Sequence, residues 1–153
     1  MGLDSKNTVS VVIVPDIKIK IKNLYKVFGK NPDLAMKNVR SGKPKEQILS
    51  EYGQTLALKN INLEIQMGSV FVIMGLSGSG KSTLVRHINR LIEPTEGEIR
   101  VDDTNVLSLN QRELANFRRE KMSMVFQKFG LMPHRTVIEN VAYGLTIQKV
   151  PRT

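Results

Sequence analysis

Residues 74–83 read MGLSGSGKST, a stretch too flexible to form a core and too unusual in composition for an ordinary turn. The pattern GxxxxGK[ST], from Gly75 to Ser82, is that of a P-loop. Glycines adopt backbone angles that are closed to other residues, so main-chain N–H groups can converge on phosphate oxygens. The stretch therefore predicts a P-loop NTPase fold and a nucleotide phosphate site.

The segments on either side of this loop agree with that prediction. Val70, Phe71, Val72 and Ile73 form an apolar run, which predicts a buried strand over 69–74. After the loop, Leu84, Ile88 and Leu91 recur at helical spacing, and residues 93–97 end the predicted helix. A strand, a glycine-rich loop and a helix are the context that a P-loop requires.

Individual residues of the loop have expected roles. The Lys81 ammonium can contact the β- and γ-phosphates as a point charge, the Ser82 hydroxyl can bind Mg²⁺, and Thr83 can add a phosphate contact. The helix that starts near Gly80 adds its positive N-terminal end. The predicted nucleotide-binding residues in the loop are Gly75, Ser77, Gly78, Ser79, Gly80, Lys81, Ser82 and Thr83.

Composition limits the other possibilities. The chain has 153 residues, enough for one domain with a core, and no cysteine, which excludes disulfides and thiolate metal sites. The net charge of +9 is compatible with nucleic acid, anionic lipid or phosphorylated ligands, but the basic residues are spread along the chain. No apolar run approaches the roughly 20 residues of a membrane span.

The remaining pattern predicts alternating strands and short helices. Residues 1–16 are expected to be a leader, and 31–53 a helical insertion of two short helices that begin near Asn31-Pro32 and Lys43-Pro44. Two capping-box patterns begin at Asn110 and Thr136, each before a predicted helix. The predicted strands are 17–22, 55–65, 69–74, 99–101 and 122–126.

Longer stretches resemble one family. FVIMGLSGSGKSTLVRHINRLIEPTEGEI is similar to the P-loop region of ATP-binding cassette (ABC) transporter ATPases, and MVFQKFGLMPHRTVIENV resembles their Q-loop region, with Gln127 as the Q-loop glutamine. LYKVFG followed by TLALKNINLEI resembles their opening hairpin. The insertion 31–53 and the LMPHRTV stretch resemble the ATPase subunit of importers for osmoprotectants of the glycine betaine/proline type. The resemblance covers residues 17–152.

The resemblance implies an α/β fold with an incomplete RecA-like P-loop core and an antiparallel β subdomain, over residues 17–153. It implies ATP and Mg²⁺ as ligands, with Phe28 stacking on adenine and Tyr25 as the second choice. Lys81 and Gln127 would be catalytic, and Gln127 would contact Mg²⁺ together with Ser82.

The resemblance also implies partners and a location. Residues 127–145, which include Leu131 to Arg135, would form a docking segment that receives a membrane permease subunit. A second ATPase protomer would complete a dimer, and a substrate-binding protein would take part indirectly. The chain would be cytoplasmic and peripheral on the inner face of the cell membrane, with no nucleic acid partner.

Three catalytic elements of the family follow the Q-loop: an Asp-Glu pair after an apolar strand, an LSGGQ-type signature and a switch histidine. None is found before Thr153, so we expect a truncated chain that does not hydrolyse ATP alone.

Asp102-Asp103 is interpreted as a polar hairpin turn. His87 is expected at the surface or in a groove and His134 in the docking segment, and neither has the partners of a general base.

Alternative functions remain open at this stage. An ABC ATPase that serves a different solute fits the same motifs. A soluble P-loop phosphotransferase would need an acceptor pocket and an acid, and neither is recognisable. A nucleic-acid binder would need a basic stripe with stacking aromatics, and only residues 117–121, FRREK, faintly resemble one.

Overall fold

A computed structural model of the chain describes residues 16–126, 130–148 and 150–151. These residues form two compact units, one up to Ser108 and one from Leu109 onwards. The strands and helices of the first unit are β1 (Ile17–Phe28), α1 (Pro32–Arg40), α2 (Lys45–Tyr52), β2 (Thr55–Gln66), α3 (Lys81–Ile88), β3 (Glu96–Val101), β4 (Thr104–Asn105) and a 3₁₀ turn (Val106–Ser108). The second unit contains α4 (Gln111–Lys121), α5 (Val137–Val141) and α6 (Tyr143–Ile147).

The first unit is built on a four-stranded antiparallel sheet with the order β2-β1-β3-β4. The predicted strands 17–22, 55–65 and 99–101 all lie in this sheet, and the predicted α/β fold with an antiparallel subdomain is confirmed. β1 is central, and it runs six residues beyond its predicted end at residue 22. Asp102, with φ +50°, lies in the turn between β3 and β4, as interpreted from the sequence.

A bulge in β1 explains why its alternating pattern was recognised only in part. Asn23 has φ +48°, and the register with both neighbouring strands shifts around it. Across the bulge the buried positions are Ile21 and Leu24, three residues apart instead of two, and the register with β2 shifts again before Val27. An extra residue of this kind bends a strand and moves the following side chains to new faces.

The helical insertion 31–53 has the predicted two helices. The Asn31 side chain accepts a hydrogen bond from the Leu34 amide at the start of α1, and Gly53 ends α2 in the left-handed conformation with φ +61°. The helices pack onto the β1–β2 hairpin through one buried cluster. Its members are Val27, Ala35, Met36, Val39, Ile48 and Leu56, with Tyr25 packed against it.

Two predicted strands are not formed. Residues 69–74 and 122–126 have no assigned secondary structure, and Val70 and Val125 are 92% and 96% exposed. The predictions of a buried strand over 69–74 and of a strand over 122–126 were therefore wrong. A strand needs a hydrogen-bonded neighbour, and the described part of the chain places no strand beside either segment.

Helix α3 is shorter than the apolar spacing predicts. It ends at Ile88, because Arg90 is in the left-handed conformation with φ +53° and its amide donates to the His87 carbonyl. Leu91 therefore lies beyond the helix, and it is half exposed. Helix α3 therefore has the predicted buried face, but over about two turns only.

Both capping boxes of the second unit are present. Asn110 and Glu113 cap α4, and Thr136 and Glu139 cap α5, each pair with reciprocal hydrogen bonds. The last turn of α4 is basic, which suits the negative end of the helix, and Phe117 is buried.

Candidate nucleotide-binding site

The predicted P-loop forms a tight turn that leads directly into α3. Gly75, Gly78 and Gly80 have φ values of +154°, +76° and +94°, which residues other than glycine rarely adopt. The Ser79 amide donates to the Leu76 carbonyl at 3.3 Å and closes the turn. The sequence therefore places its glycines where the backbone needs them.

Two of these glycines also have close neighbours where a side chain would begin. A Cβ atom at Gly80 would lie 2.7 Å from the Ala57 carbonyl oxygen and 3.0 Å from Leu58 Cδ2, both in β2. A Cβ atom at Gly75 would lie 2.9 Å from Ser79 Oγ. The loop is thus seated against β2 at one end and closed on itself at the other.

Lys81 is the first residue of α3, and its side chain folds back over the loop. Its Nζ donates to the carbonyl oxygens of Gly75 at 2.8 Å and Leu76 at 2.6 Å, and lies 3.4 Å from Ser79 Oγ. An ammonium held among three oxygens of an exposed loop can exchange them for phosphate oxygens at little cost. The loop thus concentrates positive charge where the motif requires it.

The start of α3 offers further donors. Gly80 is the N-cap and contributes no side-chain hydrogen bond, so the first-turn amides, including those of Lys81, Ser82 and Thr83, have no intrahelical or side-chain cap partner. The Ser82 side chain is exposed and that of Thr83 half-buried. Exposed Ser77 and Ser79 complete the predicted set, which the fold brings together in one short loop.

The two aromatic candidates in β1 have different environments. Tyr25 is half-buried against the core of the insertion, whereas Phe28 is 42% exposed at the end of the strand. Phe28 pairs with Thr55 in β2. Thr55 is two residues from Ala57, whose carbonyl oxygen lies against Gly80 of the P-loop. The exposed ring is therefore the better platform for a flat ligand, and it lies at the same end of the hairpin as the loop.

Other predicted site residues belong to the second unit. Gln127 lies outside the described residues. Residues 131–141 form a surface groove of about 400 Å³, lined by Leu131, Met132, Pro133, Arg135, Val137, Asn140 and Val141. The Asn140 side chain accepts from the Met132 amide and donates to the carbonyls of Met132, Arg135 and Thr136, so it fixes the shape of this groove.

His87 corrects another prediction. It is fully buried in the first unit, not at the surface or in a groove. Its Nδ1 lies 2.6 Å from the Thr83 carbonyl, which can only accept, so Nδ1 carries the proton. Within the described residues its Nε2 has no hydrogen-bond partner. The burial of His87 could have been predicted from the sequence, because His87 lies three residues after Leu84 and therefore on the same, buried face of α3.

The surroundings of His87 disfavour its charged form. Burial lowers the pKa of His87 below its ordinary value, and the Lys26 ammonium acts in the same direction, against the opposing effects of the Thr83 carbonyl and of Glu93. The neutral ring is therefore the form that the folded unit accepts.

We expect acid to destabilise the fold through His87. Between about pH 6.5, the ordinary pKa of histidine, and its lower folded pKa, the unfolded chain binds more protons than the folded chain. Stability should fall as pH drops through this window, by up to about 1.4 kcal/mol per pH unit. His87→Leu should remove this loss, so its unfolding midpoint should fall less than that of the wild type between pH 7.5 and 5.5.

Thermal unfolding followed by circular dichroism at the two pH values measures the difference. His134→Leu, the same change at an exposed histidine, is the matched control and should behave like the wild type. Parallel pH dependence in wild type and His87→Leu would contradict the prediction.

Two further observations concern metals and membranes. Within the described ranges, no group of three or more His, Cys, Asp or Glu side chains could hold a metal ion. In the same residues, no helix combines the length and apolar character needed to cross a bilayer.

Known proteins resemble this chain over most of its length. The family described as ABC transporter matches residues 58–152, which include the P-loop and the groove. The chain is 52% identical over 131 residues to the glycine betaine/proline betaine transport system ATP-binding protein ProV of Escherichia coli, covering 86% of this chain and 33% of ProV. It is 49% identical over 136 residues to the glycine betaine transport ATP-binding protein OpuAA of Bacillus subtilis, covering 89% of this chain and 32% of OpuAA.

A solved structure gives the same result. The ATP-binding cassette MJ0796, in a dimeric post-hydrolysis state bound to ADP and Pi, superposes with a TM-score of 0.69 at 35% identity, covering 88% of this chain and 50% of the cassette. The chain spans about a third of the length of the curated relatives that it matches.

Proposed function

Because this chain belongs to the ABC transporter family, we propose that it binds ATP as part of the ATP-binding subunit of an importer for osmoprotectants of the glycine betaine/proline type. The observation that carries this proposal is the P-loop, in which Lys81 folds over a glycine turn at the start of α3. The relatives are named for glycine betaine transport, and this supports the solute class.

The donors of the loop fit a triphosphate. The Lys81 ammonium and the first-turn amides of Ser82 and Thr83 are cationic or N–H groups, which phosphate oxygens accept. Gly75, Ser77, Gly78, Ser79 and Gly80 would supply the surrounding main chain and hydroxyls. Phe28 would stack on adenine through its exposed ring.

A magnesium ion fits the same place. Mg²⁺ keeps several waters and takes few protein ligands when a nucleotide supplies phosphate oxygens, so an exposed hydroxyl such as that of Ser82 suffices here. Gln127 is the second proposed ligand. When bound, the ion would neutralise phosphate charge, and Lys81 would share that task in hydrolysis by the whole subunit.

The groove over residues 131–141 supports a role in a transporter. It is lined mainly by apolar side chains with Arg135 among them, and its backbone is fixed by Asn140. We propose that a permease subunit docks there, within the segment 127–145, and that the chain works on the cytoplasmic face of the membrane. A second ATPase protomer and, indirectly, a substrate-binding protein would complete the importer.

Base-specific binding tests the proposal. The chain should bind MgATP more tightly than magnesium tripolyphosphate, which has the phosphates but no base. Phe28→Ala should reduce this preference about tenfold, because stacking on an aromatic ring contributes on the order of 1–3 kcal/mol. Isothermal titration calorimetry of both ligands measures it.

Tyr25→Leu is the matched comparison in the same strand. It should lower stability by disturbing the core of the insertion but leave the preference for MgATP unchanged. If Tyr25→Leu rather than Phe28→Ala removes the preference, the base lies on Tyr25. Absence of MgATP binding by the wild-type chain would contradict the proposed function itself.

A further inference from the structure

One lysine contacts the exposed ring at the end of β1. Lys26 and Phe28 are two residues apart near the end of β1, and Val27 between them is buried. The Lys26 Nζ lies over the Phe28 ring, 4.9 Å from its centroid. This is the geometry of a cation–π interaction.

The same ammonium has a second anchor. Lys26 Nζ donates to the Glu93 carbonyl oxygen at 2.7 Å, and the Glu93 carboxylate accepts from Arg90 Nε at 2.7 Å. Arg90 and Glu93 both follow α3, the helix that begins at the P-loop. Lys26 thus connects the aromatic ring to the loop after the phosphate-binding helix.

The opposite strand supports the same connection. Lys26 pairs across the sheet with Leu58, and Leu58 Cδ2 is one of the atoms that a Cβ at Gly80 would touch. Lys26 is partly buried, and this burial lowers the pKa of its ammonium against the opposing effect of Glu93. Cation–π attraction strengthens when the cation is desolvated.

We propose that Lys26 is a positioning residue for the nucleotide base, whose ammonium holds the Phe28 ring and occupies one of its faces so that adenine stacks on the other. The proposal rests on the proposed function, which assigns the base to Phe28. The lysine acts through the ring and touches neither phosphate nor metal, so its effect is specific to ligands that carry a base.

The test compares two variants with two ligands. Lys26→Met keeps the length of the side chain and removes the charge, and it should weaken MgATP binding about three- to tenfold while leaving magnesium tripolyphosphate within twofold. Lys26→Arg keeps a cation that stacks on rings and should stay within about threefold of the wild type for both ligands. Lys22→Met, an equal loss of charge at an exposed position of β1, should change neither.

A ligand-free measurement examines the contact itself. The ε-methylene protons of Lys26 should show an upfield ring-current shift by NMR, and Phe28→Leu should remove it. Absence of that shift, unchanged MgATP affinity in Lys26→Met, or equal weakening of both ligands would overturn the proposal while leaving the proposed function standing. A Phe28→Ala variant that keeps the full preference for MgATP would also overturn the proposal for Lys26, because the base would then not lie on Phe28, whereas absence of MgATP binding by the wild-type chain would overturn both.

Discussion

Replacing Lys81 by alanine should weaken binding of MgATP and of magnesium tripolyphosphate by the same factor, roughly ten- to hundredfold. In the proposed site the ammonium would contact phosphate and not the base, so both ligands would lose the same charge-assisted hydrogen bonds. Calorimetric titration of both ligands measures the two factors. The equal loss distinguishes Lys81 from Phe28, whose removal should affect only the ligand that has a base.

The same substitution should scarcely change stability. In the folded chain the Lys81 ammonium bonds to the carbonyls of Gly75 and Leu76, but the loop is exposed and water can replace the lysine. We expect the free energy of unfolding to change by less than about 1 kcal/mol. Lys22→Ala is the matched control for charge, and it should leave both affinities unchanged. Wild-type affinity in Lys81→Ala would show that the phosphates do not bind at this loop.

The features predicted correctly depend on residues that lie close together in the sequence. Asn31, Asn110 and Thr136 each cap a helix by bonding to an amide three residues later, and Gly53 ends α2 through its own backbone angle. The P-loop turn is local in the same sense, because the glycine turn and the first turn of α3 are consecutive in the sequence. A short window of sequence contains all the determinants of such features.

The two unformed strands show the opposite case. The apolar runs at 69–74 and 122–126 indicate that these residues favour burial, but they do not say which strand would pair with them. Pairing depends on residues far away in the sequence. In the described part of the chain the sheet consists of β1 to β4 only, and both runs stay outside it.

The positions of Lys26 and His87 were not predicted, for different reasons. Lys26 looks like one of many exposed lysines until the fold places Phe28 and Glu93 beside it. The contact with Glu93 joins residues 67 positions apart, and no sequence spacing predicts it. His87 differs, since its place on the buried face of α3 was available from the spacing, and a polar residue was wrongly assigned to the surface.

Gly97→Ala should destabilise the first unit by about 3 kcal/mol or more, the largest effect on stability that we expect from one methyl group. Gly97 has φ +115°, and a Cβ there would lie 2.7 Å from both the Asn23 carbonyl oxygen and Leu24 Cα, and 2.9 Å from the Lys22 carbonyl oxygen. All three atoms belong to the backbone of the central strand β1 at its bulge. They cannot move aside without breaking the pairing of β1 with β3.

Thr95, two residues before Gly97, explains why β3 cannot move away from β1 to make room for the methyl group. The Thr95 hydroxyl accepts from the Val27 amide and the Thr95 amide donates to the Tyr25 carbonyl, so the chain is fixed to β1 just before Gly97. Gly68→Ala is the control, because Gly68 has φ +70° but no atom of a non-adjacent described residue lies within 4 Å of its Cβ position, and it should cost only about 1–2 kcal/mol. Urea unfolding of both variants separates the strain of a positive φ from the clash with β1. Equal losses would mean that β1 and β3 adjust to the methyl group, and the close approach at the bulge would then not be what requires glycine.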